Sequence, residues 1–121
     1  MKILIVDDSK AMRMIVTRTL KQAGFADCTV VEAANGVQAL QTLRGGGFDV
    51  VLSDWNMPEM NGLELLRAIK AEGVAVRFGF VTSEGTAGMR QQASEAGALF
   101  LITKPFTADG FAATLKPVLA A

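Results

Sequence analysis

Short apolar runs alternate with longer amphipathic stretches five times along the chain. Ile3–Val6 is a run of four apolar residues, the pattern of a strand buried on both faces. Met12, Ile15, Val16, Leu20 and Ala23 then recur at helical spacing. Ser9 or Asp8 is placed to cap that helix and Gly24 to stop it. Thr29–Val31 reads as a second strand, followed by a short helix carrying Val37, Leu40 and Leu43 and ended by Gly45, Gly46 and Gly47. Asp49–Ser53 is the third strand; Leu63, Leu65, Leu66 and Ile69 form the next helical face, closed by Gly73. Val76–Thr82 is the fourth strand, Ala87–Ala96 a helix stopped by Gly97, and Leu99–Ile102 the fifth strand. The last helix carries Phe111, Leu115, Val118 and Leu119, with Pro117 predicting a kink or a frayed end. Such βα alternation with short connections predicts an α/β fold, a parallel sheet covered by helices on both faces.

The polar residues are grouped at the strand ends: Asp7 and Asp8 after the first, Asp54 after the third, Thr82 and Ser83 after the fourth, Lys104 and Pro105 after the fifth. In a parallel sheet those ends share one edge, where open α/β sheets hold their ligands. Three carboxylates meeting there repel one another unless a cation or a proton neutralises them. A hard cation such as Mg²⁺ takes oxygen ligands, usually one or two carboxylates with water and phosphate. Asp8 and Asp54 offer carboxylates, Asp7 can hold a bound water, and the backbone carbonyl of Asn56 adds a further oxygen. Asp54 can also attack phosphorus, since carboxylates form acyl phosphates. The ammonium of Lys104 and the hydroxyl of Thr82 would then contact the phosphoryl oxygens. Taken singly, each residue has a plainer role: an acid caps a helix or forms a turn, Thr82 and Ser83 cap the next helix, Lys104 is solvated. Their joint placement at strand ends favours a site.

Bulk properties narrow the function. The 121 residues suit one domain, and half of them are hydrophobic, so a packed core is expected. Twelve basic and twelve acidic residues cancel, which removes any charge-based reason for a nucleic acid or an anionic membrane as partner. The first apolar run is too short for a signal peptide or a membrane span, so a cytoplasmic protein is expected. The single cysteine, Cys28, fits a reducing compartment and reads as a small strand or loop residue. No histidine is present, which removes the usual general base and the commonest metal ligand.

Four motifs carry a resemblance that spans the chain: I-V-D-D at 5–8, S-D-W-N-M-P-E-M-N-G-L-E-L-L at 53–66, V-T-S-E at 81–84 and K-P-F-T at 104–107. The sequence resembles receiver domains of bacterial two-component signalling, and among them stand-alone chemotaxis regulators of the CheY type. The resemblance implies a flavodoxin-like, three-layer (βα)5 sandwich with strand order 2-1-3-4-5. It implies one receiver domain over residues 1–121 with no effector domain, acting as a monomer. Asp54 would accept a phosphoryl group from a histidine kinase, with Mg²⁺ held by Asp7, Asp8 and Asp54. Thr82 and Lys104 would sense the phosphoryl group, and Lys104–Pro105 would be cis. Apart from self-phosphorylation and slow self-dephosphorylation the chain would not be an enzyme. A phosphatase and an output protein complete the implied partners.

The chain also departs from the family. The switch aromatic three residues before the lysine is replaced by Leu101, with Phe100 beside it. The face that meets the flagellar motor switch carries an aliphatic residue, an aromatic and a lysine in the family. Arg90, Leu101 and Thr114 match those positions here, which argues against direct motor binding. Asn56 and Glu84, at the positions that tune phosphoryl loss, follow the chemotaxis pattern. Output by protein binding therefore competes with a phosphate sink that drains a shared kinase. An aspartate-nucleophile phosphatase needs an acid two residues after its nucleophile, where Ser9 and Asn56 stand. A flavin carrier needs a hydroxyl-rich phosphate loop after the first strand, where Asp7 and Asp8 would repel phosphate. The helix over Ala87–Ala96 reads as the weakest of the five. Its apolar face has only Met89, Ala93 and Ala96, and Gly88 lies in its first turns. A competing reading is that Gly88 relieves crowding in a rigid helix.

Overall fold

The computed structural model describes residues 1–120, with the backbone alone for Ala120; Ala121, the end of the expected domain, lies outside them. The five strands are β1 (Lys2–Val6), β2 (Thr29–Ala33), β3 (Val50–Ser53), β4 (Arg77–Thr82) and β5 (Phe100–Thr103). Between and after them come α1 (Lys10–Leu20), α2 (Gly36–Leu43), α3 (Gly62–Ala71), α4 (Ala87–Ala96) and α5 (Ala108–Ala120). The strands are all parallel, in the order β2-β1-β3-β4-β5. This is the flavodoxin-like arrangement that the resemblance implies.

Side chains alternate across a strand, so a strand with a core on either side must be apolar at every position. Leu4, Val6 and Val51 face a core built with Leu40, Leu43, Leu65, Leu66 and Ile69 from α2 and α3. Ile3, Ile5, Val50 and Leu52 face the opposite core, shared with Val16 and Leu20 of α1 and Phe111 and Leu115 of α5. The sheet is thus the middle of three layers. No described helix is long and apolar enough to cross a membrane.

Several boundaries and faces differ from the sequence expectation. β2 runs on to Ala33, two residues past Val31, because it pairs with all of β1. Asp49 precedes β3, and its carboxylate instead accepts from the Lys2 amide. Leu99 precedes β5 and is 55% exposed. Ile15 and Val37 are exposed, on helices whose buried stripes are centred on Val16 and Leu20 and on Ala39, Leu40 and Leu43. Ser9, not Asp8, caps α1, accepting from the Met12 amide. After Leu20 the chain makes a π-helical turn in which Gly24 takes φ 105°, so the stop lies at Gly24 as expected. α5 continues through Pro117 to Ala120.

Candidate functional site

Val6 and Ser53 are register partners on adjacent parallel strands, so the residues that follow them, Asp7 and Asp54, emerge side by side. The Asp54 amide bonds the Val6 carbonyl at 2.8 Å, which carries the pairing one residue past β3. The loop after Asp54 returns tightly: the Gly62 amide donates to the Trp55 carbonyl at 2.8 Å. A Cβ on Gly62 would run into the Asp54 carbonyl oxygen and the Phe80 ring. Only glycine lets α3 begin that close to the end of β3. Trp55 is buried against Phe80, ring centroids 4.6 Å apart, beneath this loop.

The carboxylates are held unequally. Asp54 Oδ1 accepts from the Trp55 amide at 2.7 Å, and its Oδ2 lies 3.5 Å from the Lys104 ammonium. Asp7, itself buried, accepts from the Ser9 amide at 2.9 Å and from Lys104 Nζ at 3.1 Å. Asp8 is exposed and has no hydrogen-bond partner among the described residues. One oxygen from each of the three acids lies within 4.8 Å of the others. Burial pushes the Asp54 carboxyl above its ordinary pKa; the Lys104 charge pulls it down, Asp7 pushes it up, and the Trp55 amide pulls it down.

The donor set consists of hard carboxylate oxygens with no sulfur or imidazole, and one of the acids is free of internal partners. That set fits a hexacoordinate, oxygen-loving cation such as Mg²⁺, which keeps part of its water. The Asn56 amide group reaches Glu84 Oε1 at 3.4 Å, so the two positions matched to the tuning pair touch. Thr82 is fully buried, and its hydroxyl accepts from the Glu84 amide at 3.4 Å. Neither Thr82 nor the exposed Ser83 caps α4; Thr86 does, accepting from the Met89 amide. The Lys104 amide donates to the Thr82 carbonyl at 2.8 Å, and the Lys104–Pro105 bond is cis. Lys104 therefore enters the acidic cluster and is not a solvated lysine.

On the side of β5, Leu101 is half-buried and lines one hollow with Arg90 and another with Thr114. Arg90 donates to the carbonyls of Gly85 and Leu101, 3.3 Å each. Cys28 is a free thiol in the bend before β2, and burial raises its pKa, in keeping with a structural role.

Arg13 was not singled out from the sequence. Its Nη1 donates to the Asp7 carbonyl at 2.6 Å and its Nε to Glu32 Oε1 at 2.8 Å, with 14% of the side chain exposed. A signal for it exists. Arg13, Val16 and Leu20 fall at i, i+3 and i+7, so a cation heads the buried stripe of α1.

The family described as response regulator receiver domain matches residues 3–116. The chemotaxis protein CheY of Pseudomonas aeruginosa is 42% identical over 111 residues, 90% of this chain and 88% of that protein. CheY-3 of Vibrio cholerae is 43% identical over 121 residues, 98% of this chain and 88% of its own length. The crystal structure of Vibrio cholerae CheY4 at low pH superposes with a TM-score of 0.86 at 35% identity, covering 98% of both chains.

Proposed function

The chain belongs to the response regulator receiver family, and from that premise we propose that it is a chemotaxis-type signalling switch phosphorylated on Asp54. One observation carries the reading: the Lys104 ammonium pairs with both Asp7 and Asp54, two members of a three-carboxylate cluster. A lysine so placed, together with a cation, is what an incoming dianion needs at an otherwise repelling site.

Asp7, Asp8 and Asp54, with the Asn56 carbonyl, would hold Mg²⁺. When bound, the ion neutralises charge on the phosphoryl oxygens and favours the ionised form of Asp54. The chain's own residues do the rest. The Trp55 amide fixes one Asp54 oxygen and so aims the carboxylate at the phosphorus of a kinase phosphohistidine. As the new O–P bond forms, the N–P bond breaks and the donor imidazole leaves. Lys104 moves from two carboxylates to the phosphoryl oxygens, and the buried Thr82 hydroxyl donates to one of them. Thr82 then draws on the segment through Glu84 and Gly85, which leads into α4. Asn56 and Glu84, in contact across the mouth, set how easily water reaches the acyl phosphate. No histidine is present to act as donor, so the phosphoryl group comes from a partner. The reading places the protein in the cytoplasm, with a histidine kinase and an output protein as partners.

Incubation with Mg²⁺ and a small acyl phosphate is expected to add one phosphoryl mass to the wild type and none to Asp54→Asn. Equal modification of the Asn variant would overturn the assignment.

The face containing Arg90, Leu101 and Thr114 favours a second reading, a phosphate sink for a shared kinase. A charged guanidinium and an aliphatic side chain stand where motor-binding relatives are expected to present other chemistry. A partner captured from the source cell by the phosphorylated form alone supports the binding switch. Phosphotransfer with no phosphorylation-dependent partner supports the sink.

A further inference from the structure

The three acids of the cluster differ in what aims them. Asp54 is held by the Trp55 amide and Lys104, and Asp7 by the Ser9 amide and Lys104. Asp8 has no such partner, so only its backbone, through the direction of the Cα–Cβ bond, restricts where its carboxylate can reach. That backbone begins at the peptide group joining Asp7 to Asp8. The Asp7 amide still belongs to the sheet, donating to the Ala33 carbonyl at 3.2 Å. The Asp7 carbonyl has left the ladder, and it is taken by Arg13 at 2.6 Å. A guanidinium bond to a carbonyl is charge-assisted and directional, with a planar fork that resists rotation. Arg13 is itself braced from the other side by Glu32 of β2, at 2.8 Å. The chain β2–Glu32–Arg13–Asp7 carbonyl thus fixes the plane from which Asp8 departs.

We infer that Arg13 is a positioning residue of the metal site, one that aims the Asp8 carboxylate at the ion by locking the Asp7–Asp8 peptide plane. The inference rests on the reading of Asp7, Asp8 and Asp54 as a Mg²⁺ site. It does not require Arg13 to touch the ion, and a cation would not do so. The effect has a diagnostic sign. As a bare positive charge near the cluster, Arg13 would repel Mg²⁺, and its removal would tighten binding. As a positioning group, its removal loosens binding, as loss of an outer partner commonly does.

The test is Mg²⁺ affinity, read from Trp55 emission and from the rise of the unfolding midpoint with Mg²⁺ concentration. Arg13→Ala is expected to bind Mg²⁺ about tenfold more weakly than wild type. Arg13→Lys, which keeps the charge but not the planar fork, should recover part of the loss. The deciding comparison is made in Asp8→Asn, where the carboxylate that Arg13 aims is gone. There Arg13→Ala should change affinity by less than about threefold, a non-additivity expected only of coupled residues. Tighter binding in Arg13→Ala would show an electrostatic role and overturn the inference. So would a lowered unfolding midpoint with unchanged Mg²⁺ affinity, which marks a purely structural arginine. An equal loss in the Asp8→Asn background overturns it as well. If wild type itself shows no Mg²⁺ binding by either readout, the metal-site reading fails first, which separates the two failures.

Discussion

Helices α3 and α4 are each ten residues long and pack on the same side of the sheet, yet they are anchored very differently. α3 buries Gly62, Leu63, Leu65, Leu66 and Ile69 and starts with a full capping box between Asn61 and Glu64. α4 buries Ala93 alone and has a single cap bond from Thr86. Each fully buried leucine or isoleucine contributes about 1.5–3 kcal/mol, whereas an alanine methyl contributes about 0.8 kcal/mol. α3 abuts Asp54 through Gly62; α4 is reached from Thr82 through the segment 83–86. On the proposed reading the two helices would have different duties. One would be the fixed wall beside Asp54, and the other the element that a small pull on Thr82 would bias.

Truncating each helix at its buried centre should separate them most. Ile69→Ala is expected to cost about 2–5 kcal/mol, and Ala93→Gly only about 1–2 kcal/mol, mostly from helix propensity. Urea denaturation measures both; equal losses would erase the distinction.

Hydrogen exchange addresses the same contrast without mutation. Before phosphorylation, amides from Met89 to Ala96 should exchange at least tenfold faster than those of Leu63 to Ile69. That is an opening easier by about 1.4 kcal/mol or more. Phosphorylation should narrow the gap; equal protection beforehand would show that α4 is not the mobile element. Gly88 sharpens the test, because a Cβ there meets nothing within 4 Å. The open space removes the reading in which Gly88 relieves crowding. Gly88→Ala should therefore stabilise by about 0.5–1 kcal/mol and slow exchange across α4.

The smallest effect concerns the far end of α3. Arg44, after α2, forms a two-point ion pair with Glu72, after α3. The hydrogen bond from Arg44 holds the Glu72 carboxyl below its ordinary pKa. A depressed folded-state pKa adds stability above the unfolded value, and that stability is lost as pH falls through the folded one. The pair is solvent-exposed, so its contribution is small. Unfolding midpoints of wild type and Glu72→Gln should converge as pH drops from about 6 to about 3, across the carboxylate range. A constant difference would show that the pair does not couple α2 to α3 through this charge.

The helix contrast was already visible in the sequence. Met89, Ala93 and Ala96 offer little to bury, and Leu63, Leu65, Leu66 and Ile69 offer much, because side-chain size and helical period are local properties. The same locality made the alternation of strand and helix legible. It also placed Asp7, Asp8, Asp54, Thr82 and Lys104 at strand ends, and a parallel sheet brings such ends to one edge.

What the tertiary structure alone decided lies between elements far apart in sequence. The apolar spacing of α1 and α2 admitted Ile15 and Val37 to the buried face, and only the position of each helix against the sheet turned them to solvent. β2 gained Glu32 and Ala33 from its register with β1, a pairing no local pattern encodes. Lys104 was a candidate by its strand-end position, but its seat between Asp7 and Asp54 joins residues 97 and 50 apart in the chain. Arg13 shows the division most sharply. Its place at the head of a buried stripe is written in the sequence, while its two partners, the Asp7 carbonyl and Glu32, depend on where β1, β2 and α1 meet. A hydrogen bond to a backbone carbonyl leaves no mark on the identity of the residue that accepts it, so only the folded chain reveals it.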